Sequence, residues 1–171
     1  MKGLLIIVLF MTLGGLSAKD CGEADVKAAV KEVYDVFTKQ GQTPEAVQFV
    51  IDKNKNDFAN RCKGLYVFVN LGVTNIVHIS PALHGKPLPT LRDKTPSEHG
   101  QAQDFFKAFM MNANNKPDGS FVNYVWTDGS DTALVCKASY IMGAKDPQNP
   151  KKLYIIGAGY TKNKYEKKGD C

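Results

Sequence analysis

One lysine lies in the middle of a predicted strand and is the clearest sign of chemistry in this sequence. Lys137 stands between Val135-Cys136 and Ala138, in a segment that a small domain would normally bury or half-bury. A charge in such a place needs a partner. The alternative is an edge lysine whose apolar stem lies on the sheet while its ammonium group reaches water.

Polar and aromatic residues accompany this lysine on the other predicted strands of the same sheet. They are Tyr66, His78, Tyr124, Trp126, Ser139 and Tyr140. Strand alternation puts Lys137 with Ser139 on one face, and Tyr124 with Trp126 on one face. An amine, an imidazole and tyrosine hydroxyls that converge in a mostly apolar site suit a small anion such as a carboxylate. Core packing of Tyr124 and Trp126, and a structural hydrogen-bonded His78, are the alternatives.

Motifs for several other functions are missing from the sequence. It holds no G-x-x-x-x-G-K-[ST] phosphate loop, no H-E-x-x-H zinc motif and no G-x-S-x-G nucleophile turn. The histidines His78, His84 and His99 have no partner at metal-ligand spacing, so neither a metal nor a cofactor is expected. Gly157-Ala158-Gly159 resembles part of a dinucleotide loop, but a Lys-rich tail follows it and leaves no room for a βαβ unit. No basic strip with interleaved aromatic residues indicates nucleic-acid binding.

Two helices are predicted ahead of the strands. Between Glu23 and Thr38, apolar residues recur at steps of three and four and give one buried face. Gly41 ends this helix, and Thr43-Pro44 begins a second one, with a hydroxyl at the N-cap and proline in the first turn. The helical part extends to about Asn60.

The pattern changes to strands from Gly64 onward. The first predicted hairpin has strands at 65–69 and 75–79, with Asn70-Leu71-Gly72 as its turn. A loop at 80–96 and a helix at 101–111 come next, and further strands follow at 120–126, 133–141 and 153–160. Consecutive strands pair mostly with their neighbours, so the order predicts an antiparallel sheet in a single α+β domain.

The first 18 residues read as a secretory signal peptide rather than as part of the fold. Lys2 supplies the positive charge, Leu4 to Leu16 the apolar segment, and Leu16-Ser17-Ala18 the small residues before cleavage. The apolar run is shorter than the roughly 20 residues of a membrane-spanning helix. We expect a periplasmic or secreted protein; an uncleaved membrane anchor is the alternative.

Four cysteines would remain after cleavage, and their even number in an exported chain indicates disulfide bonds. Three pairings are possible; we favour Cys21 with Cys171 and Cys62 with Cys136. The net charge of +5 owes much to lysines at 162, 164, 167 and 168, which predict a solvated tail.

Four segments together resemble the single Cache domains found in extracytoplasmic parts of bacterial and archaeal receptors. The first segment is 64–69, and the second is 76–93, which contains His78, Gly85-Lys86 and Leu91-Arg92-Asp93. The third is 119–126, which ends in Tyr124 and Trp126. The fourth is Lys137-Ala138-Ser139-Tyr140, together with the strand at 155–160. The resemblance covers about residues 64 to 160.

The resemblance implies a PAS-like five-stranded antiparallel sheet flanked by helices. It makes residues 19–171 one Cache domain, with a helical part at 22–60, a sheet part at 64–160 and a basic tail at 161–171. It also implies a pocket for small carboxylates, amino acids or similar metabolites. The candidate ligand-binding residues are Tyr66, His78, Arg92, Tyr124, Trp126, Lys137 and Tyr140.

Some features depart from the family pattern. The chain has no second apolar segment and no output domain, its four cysteines are not part of the pattern, and Thr127-Asp128-Gly129 replaces a proline-containing turn. The leading hypothesis is an exported, non-enzymatic sensory protein that binds a small anionic metabolite and presents it to a membrane receptor or sensor kinase. A protein-interaction module without a ligand, and a small hydrolase or isomerase using His78 with Tyr124 or Asp93, are the other two hypotheses.

Overall fold

Two consecutive helices begin the folded part of the chain, as the apolar spacing predicts. The computed structural model describes residues 19–81, 83–87, 94–102, 104–127 and 133–171. Helix α1 spans Glu23–Gln40, slightly longer than predicted, and ends at Gly41, whose positive φ of 65° few other residues tolerate. Helix α2 spans Pro44–Lys53, and the Thr43 hydroxyl accepts a hydrogen bond from the Ala46 N–H at 3.1 Å. The predicted cap is therefore confirmed.

A π-helical turn at Asn54–Phe58 and a short helix α3 at Ala59–Arg61 lead towards the sheet. The buried Asn54 amide donates to the Val67 carbonyl at 2.8 Å and accepts from the Val67 N–H at 2.7 Å. This reciprocal pair satisfies both ends of the amide and fixes the helical segment against the first strand.

The sheet has five antiparallel strands in the order β2-β1-β5-β4-β3. The strands are β1 at Val67–Leu71, β2 at Thr74–Val77, β3 at Ser120–Thr127, β4 at Leu134–Lys145 and β5 at Leu153–Lys164. A short 3₁₀ turn at Ser97–His99 and helix α4 at Phe105–Asn115 lie between the hairpin and β3. The protein is thus an α+β domain whose sheet is compatible with a PAS-like fold.

Each face of the sheet packs against a different helix. The face beneath α1 forms the larger apolar core, in which Val26, Val33 and Phe37 are fully buried. The opposite face packs against α4 through Phe105, Phe106 and Phe109. Successive residues of a strand point to opposite faces, so each strand contributes to both layers.

The first hairpin turns later than the sequence pattern predicts. Asn70 and Leu71 belong to β1 because they pair with Ile155 and Tyr154 of β5. The predicted turn at Asn70-Leu71-Gly72 is therefore wrong, and the chain reverses at residues 72–73. Pairing with β5, which is distant in sequence, overrides the local turn preference of asparagine.

All four cysteines form disulfides, but the favoured pairing is wrong. Cys21 is bonded to Cys62 and Cys136 to Cys171, with Cα–Cα distances of 5.0 and 5.3 Å. The segment before α1 runs beside residue 63, where the Lys63 N–H donates to the Lys19 carbonyl at 2.9 Å, and this contact brings Cys21 to Cys62. The terminal clasp between Cys21 and Cys171 does not form.

The predicted solvated tail is in part an ordered strand. β5 continues past Tyr160 to Lys164, and the next residue, Tyr165, is buried against Val125 and Cys136. The Cys136–Cys171 disulfide then fastens the last residue to β4. The lysines of this segment are exposed, as expected, but the backbone that carries them is held in place.

The predicted signal segment at residues 1–18 lies outside the described residues. Within the described ranges, no helix combines the length and the apolar character that crossing a bilayer requires.

Candidate functional site

A cavity of about 140 Å³ lies between the sheet and helix α4. Phe68 of β1 forms one part of its wall, Phe105, Phe106 and Phe109 of α4 another, and Leu83 contributes from the loop after β2. The walls are therefore largely apolar. Pockets for drug-sized ligands are usually about 300 Å³ or larger, so this space suits a smaller metabolite.

Helix α4 can lie close to the sheet because β4 carries a glycine beneath it. A Cβ atom added to Gly143 would lie 2.1 Å from the Ala113 carbonyl oxygen. Atoms cannot approach so closely without displacement of the helix backbone, so any other residue at this position would move α4. Gly143 thus helps to set the depth of the cavity.

Tyr124 and Trp126 line the cavity from β3, and the prediction that they share a face is confirmed. The ring of Phe105 stacks on Tyr124 with centroids 4.6 Å apart and meets Trp126 edge-on at 5.4 Å. The Tyr124 hydroxyl shares a hydrogen bond of 2.9 Å with the Ser139 hydroxyl. Burial raises the pKa of Tyr124 far above its ordinary value, so the phenol stays neutral.

Lys137 lines the same cavity from β4, where it stands opposite Tyr124 in the β3–β4 register. Its side chain is half-buried. With Ser139 it also lines an adjacent cleft of about 650 Å³, which confirms that these two residues lie on one face. A cationic amine therefore stands where the cleft meets the smaller cavity.

His78 follows β2 directly, and its ring meets Tyr66 edge-on with centroids 5.1 Å apart. The Ser80 N–H donates to the His78 Nδ1 at 2.9 Å. Burial, with a smaller contribution from His84, lowers the pKa of His78 to about 4, so the ring is neutral near pH 7. Because Nδ1 accepts, we assign the ring proton to Nε2, which makes that atom a donor.

Tyr66 lies immediately before β1 and lines both the cavity and the cleft. Burial raises the pKa of its hydroxyl, so it too is a neutral phenol. Five of the seven predicted binding residues are thus brought together, namely Tyr66, His78, Tyr124, Trp126 and Lys137.

Tyr140, another predicted binding residue, does not line the cavity. Tyr140 lies on the opposite face of the sheet, where its ring packs beside Phe121 at 5.1 Å and its hydroxyl donates to the Asp118 carbonyl. It is an odd number of residues from Lys137 along one strand, and alternation therefore turns it away. Tyr140 is therefore separated by the sheet from the five predicted residues that meet at the cavity. Arg92 lies outside the described residues.

Two asparagines line the cavity that sequence reasoning did not single out. Asn70 and Asn75 are each only 1 % exposed and stand opposite one another in the β1–β2 hairpin. Neither side-chain oxygen has a hydrogen-bond partner among the described residues. The available signal is a polar residue within the apolar run 65–71, but the local sequence at Asn70 favours a turn.

A third space of about 540 Å³ lies beside the C-terminal segment, where His99 Nδ1 and the Tyr165 hydroxyl are 3.0 Å apart. It is an open cleft, and Tyr124 is its only predicted binding residue among those described. The cavity beneath α4 is the better candidate site because its polar groups are buried among aromatic rings.

Within the described residues, no group of three or more His, Cys, Asp or Glu side chains is arranged to hold a metal ion. The cavity instead presents donors, which are the amine of Lys137, the Nε2–H of His78 and two neutral phenols. Such a set can bind the oxygens of a small anion.

Fold and site together define an α+β domain with a five-stranded antiparallel sheet, two disulfides and a small aromatic cavity beneath one helix. No protein-family model, curated protein or solved structure matches the chain.

Proposed function

We propose that this protein is an extracytoplasmic sensory domain of the single Cache type, which binds a small carboxylate or amino-acid-like metabolite beneath α4. The observation that carries the proposal is Lys137, a half-buried cation at the edge of a largely aromatic cavity. A cation so placed gains from an anionic group because the low local polarity strengthens their attraction.

The chemistry of the surrounding groups supports an anion. The phenols of Tyr66 and Tyr124 are neutral near pH 7 and can donate hydrogen bonds. Neutral His78 adds a donor without adding charge, because its lowered pKa of about 4 keeps the ring unprotonated. A carboxylate offers two oxygens and about four lone-pair positions, which suits several converging donors.

The location of the protein is part of the same proposal. Two disulfides are typical of oxidising compartments such as the periplasm or the cell exterior. The amino-terminal sequence has the pattern of a secretory signal. The bound state is then communicated to a separate membrane receptor or sensor kinase, and the domain itself is not an enzyme.

Calorimetric titration with a panel of small carboxylates and amino acids tests the binding site. Lys137→Met keeps most of the side-chain volume and removes the charge, so affinity for a binding carboxylate should fall by about 1.5–3 kcal/mol, the value of a charge-assisted hydrogen bond. Lys145→Met is the matched control, because Lys145 is exposed at the far end of the same strand. Unchanged affinity in Lys137→Met would show that the ligand does not use this amine.

Thermal unfolding tests whether the native protein binds any member of the panel. A ligand at 100 times its dissociation constant should stabilise the native state by about 2.7 kcal/mol. A flat response across the panel, with no small molecule detected by mass spectrometry in the native protein, would contradict the proposed function.

A further inference from the structure

The two buried asparagines of the first hairpin form one polar patch on the cavity wall. Asn70 of β1 and Asn75 of β2 are direct cross-strand partners, and both side chains line the cavity. Each residue is 1 % exposed, and within the described part of the chain neither Oδ1 atom accepts a hydrogen bond.

A third buried asparagine shows how this protein treats an amide that has only a structural role. Asn54 is 5 % exposed, and both ends of its amide are bonded to the Val67 backbone at 2.8 and 2.7 Å. Buried polar groups in native proteins are nearly always paired in this way. Asn70 and Asn75 are two adjacent exceptions on the wall of a cavity. Their unpaired oxygens indicate that a molecule bound in the cavity supplies the missing hydrogen-bond donors.

The asparagine patch and Lys137 lie at different ends of the cavity. Asn70 pairs with Ile155 on β5, and Ile155 pairs with Gly143 on β4, several residues along the strand from Lys137. Phe68 and Phe109, whose rings stack 5.7 Å apart, line the cavity as well. A ligand that reaches both ends must therefore have two polar groups joined by an apolar part.

We infer that the ligand carries a hydrogen-bond donor, an ammonium or a hydroxyl group, remote from its carboxylate, and that Asn70 and Asn75 bind this donor through their Oδ1 atoms. This inference rests on the proposed function, which assigns the carboxylate to the Lys137 end. The ligand class is then an amino- or hydroxy-carboxylate whose two polar groups are separated by a short apolar chain. A simple fatty acid of equal length would leave both amide oxygens unpaired, which is unfavourable.

The experiment compares matched straight-chain probes of increasing length by calorimetry. Each unsubstituted carboxylate is set beside its terminal amino and terminal hydroxy forms. The substituted form of the best-fitting length should bind about tenfold or more tightly than its unsubstituted partner. Asn70→Leu with Asn75→Leu removes both acceptors at similar volume, and this double variant should lose or reverse the preference.

The same double variant separates a binding role from a structural one. Leucine at positions 70 and 75 should raise the melting temperature of the protein without ligand, because apolar side chains replace unpaired buried polar groups. Asn163→Leu, an exposed position on β5, is the control and should leave the ligand preference unchanged. A lower melting temperature with the preference retained would assign the two asparagines to the fold and overturn the inference.

A second variant keeps the test decisive if the double variant does not fold. Asn75→Asp replaces one acceptor with a carboxylate and should raise the preference for the amino over the hydroxy probe. If the unsubstituted acids bind as well as the substituted ones to the unaltered protein, the donor inference is wrong while the proposed function stands. If no probe of either kind binds, both are overturned.

Discussion

The two faces of the sheet differ in how completely the protein pairs their buried polar groups. On the α1 face, the hydroxyl of buried Tyr154 donates to the Asp146 carboxylate and accepts from the Gln42 N–H at 3.1 Å. On the α4 face, Asn70 and Asn75 leave their amide oxygens unpaired within the described residues. The Tyr154 hydroxyl is paired by the protein itself, whereas the two asparagine oxygens are the acceptors that we propose for the ligand.

The α1 face is also packed more completely than the α4 face. Beneath α1 the apolar residues fill the space at or close to complete burial, and Phe37 meets Tyr154 edge-on at 5.2 Å. Beneath α4 the aromatic rings surround a cavity of about 140 Å³. A domain of this kind can obtain its stability from one layer and reserve the other for binding, and the following predictions test that division.

The largest effect is expected from truncation on the α1 face. Phe37 is fully buried, so Phe37→Ala should lower the free energy of unfolding by about 3–5 kcal/mol, through lost burial and the cavity left behind. Denaturant titration measures the change. The matched variant Phe109→Ala enlarges an existing cavity, and it should cost less stability and alter ligand affinity. If both variants lost equal stability and Phe37→Ala rather than Phe109→Ala changed ligand affinity, the assignment of stability to the α1 face and binding to the α4 face would be contradicted.

Removal of a disulfide should have the next largest effect on stability. Replacing Cys136 and Cys171 by alanine opens a loop with a sequence separation of 35, which should cost about 2–4 kcal/mol of stability. Because Cys136 is adjacent to Lys137, ligand affinity should fall as well. The corresponding Cys21 and Cys62 double variant should lose similar stability with a smaller loss of affinity, because Cys21 lines the adjacent cleft but not the cavity. Calorimetry on both variants tests this contrast.

Gly143→Ala should displace α4 without touching the α1 face. The added methyl group meets the Ala113 backbone, and such overpacking costs about 1–3 kcal/mol. The amide resonances of α4 should shift in NMR spectra while those of α1 stay in place. Gly22→Ala, where the nearest atom is 3.9 Å from the added carbon, serves as the control. A displaced α1 would show that the two layers are coupled.

The smallest effect concerns the pH dependence of stability through His78. The folded pKa is lowered to about 4 from an ordinary 6.5, so the unfolded chain takes up a proton first as pH falls. His78 therefore reduces stability progressively from about pH 6.5 down to about pH 4, by about 1 kcal/mol between pH 7 and pH 5.5. His78→Gln should remove this part of the dependence in denaturant titrations at the two pH values. An unchanged dependence would mean that the folded protein protonates His78 as readily as the unfolded chain does.

Much of the site was readable from local pattern because strand alternation is a local property. The shared face of Tyr124 and Trp126 and that of Lys137 and Ser139 follow from their spacing alone. The same rule, applied along β4, places Tyr140 on the face opposite Lys137.

The asparagine patch could not be predicted in the same way. Asn70 favours a turn when it is read with its neighbours, and only pairing with β5 keeps it in a strand. The disulfide pairing has a similar origin, since it depends on which distant segments the fold brings side by side.

The sequence by itself determined the elements of this protein: the amphipathic helices, the alternating strands, the Thr43 cap and the set of cysteines available for disulfides. These depend on the few residues on either side, and local sterics and apolar spacing decide them. Only the tertiary structure decided which strand edges meet, which cysteines pair and which polar side chains are left unpaired beside a cavity. Those outcomes depend on contacts between residues far apart in the chain, whose combined free energy no single segment carries.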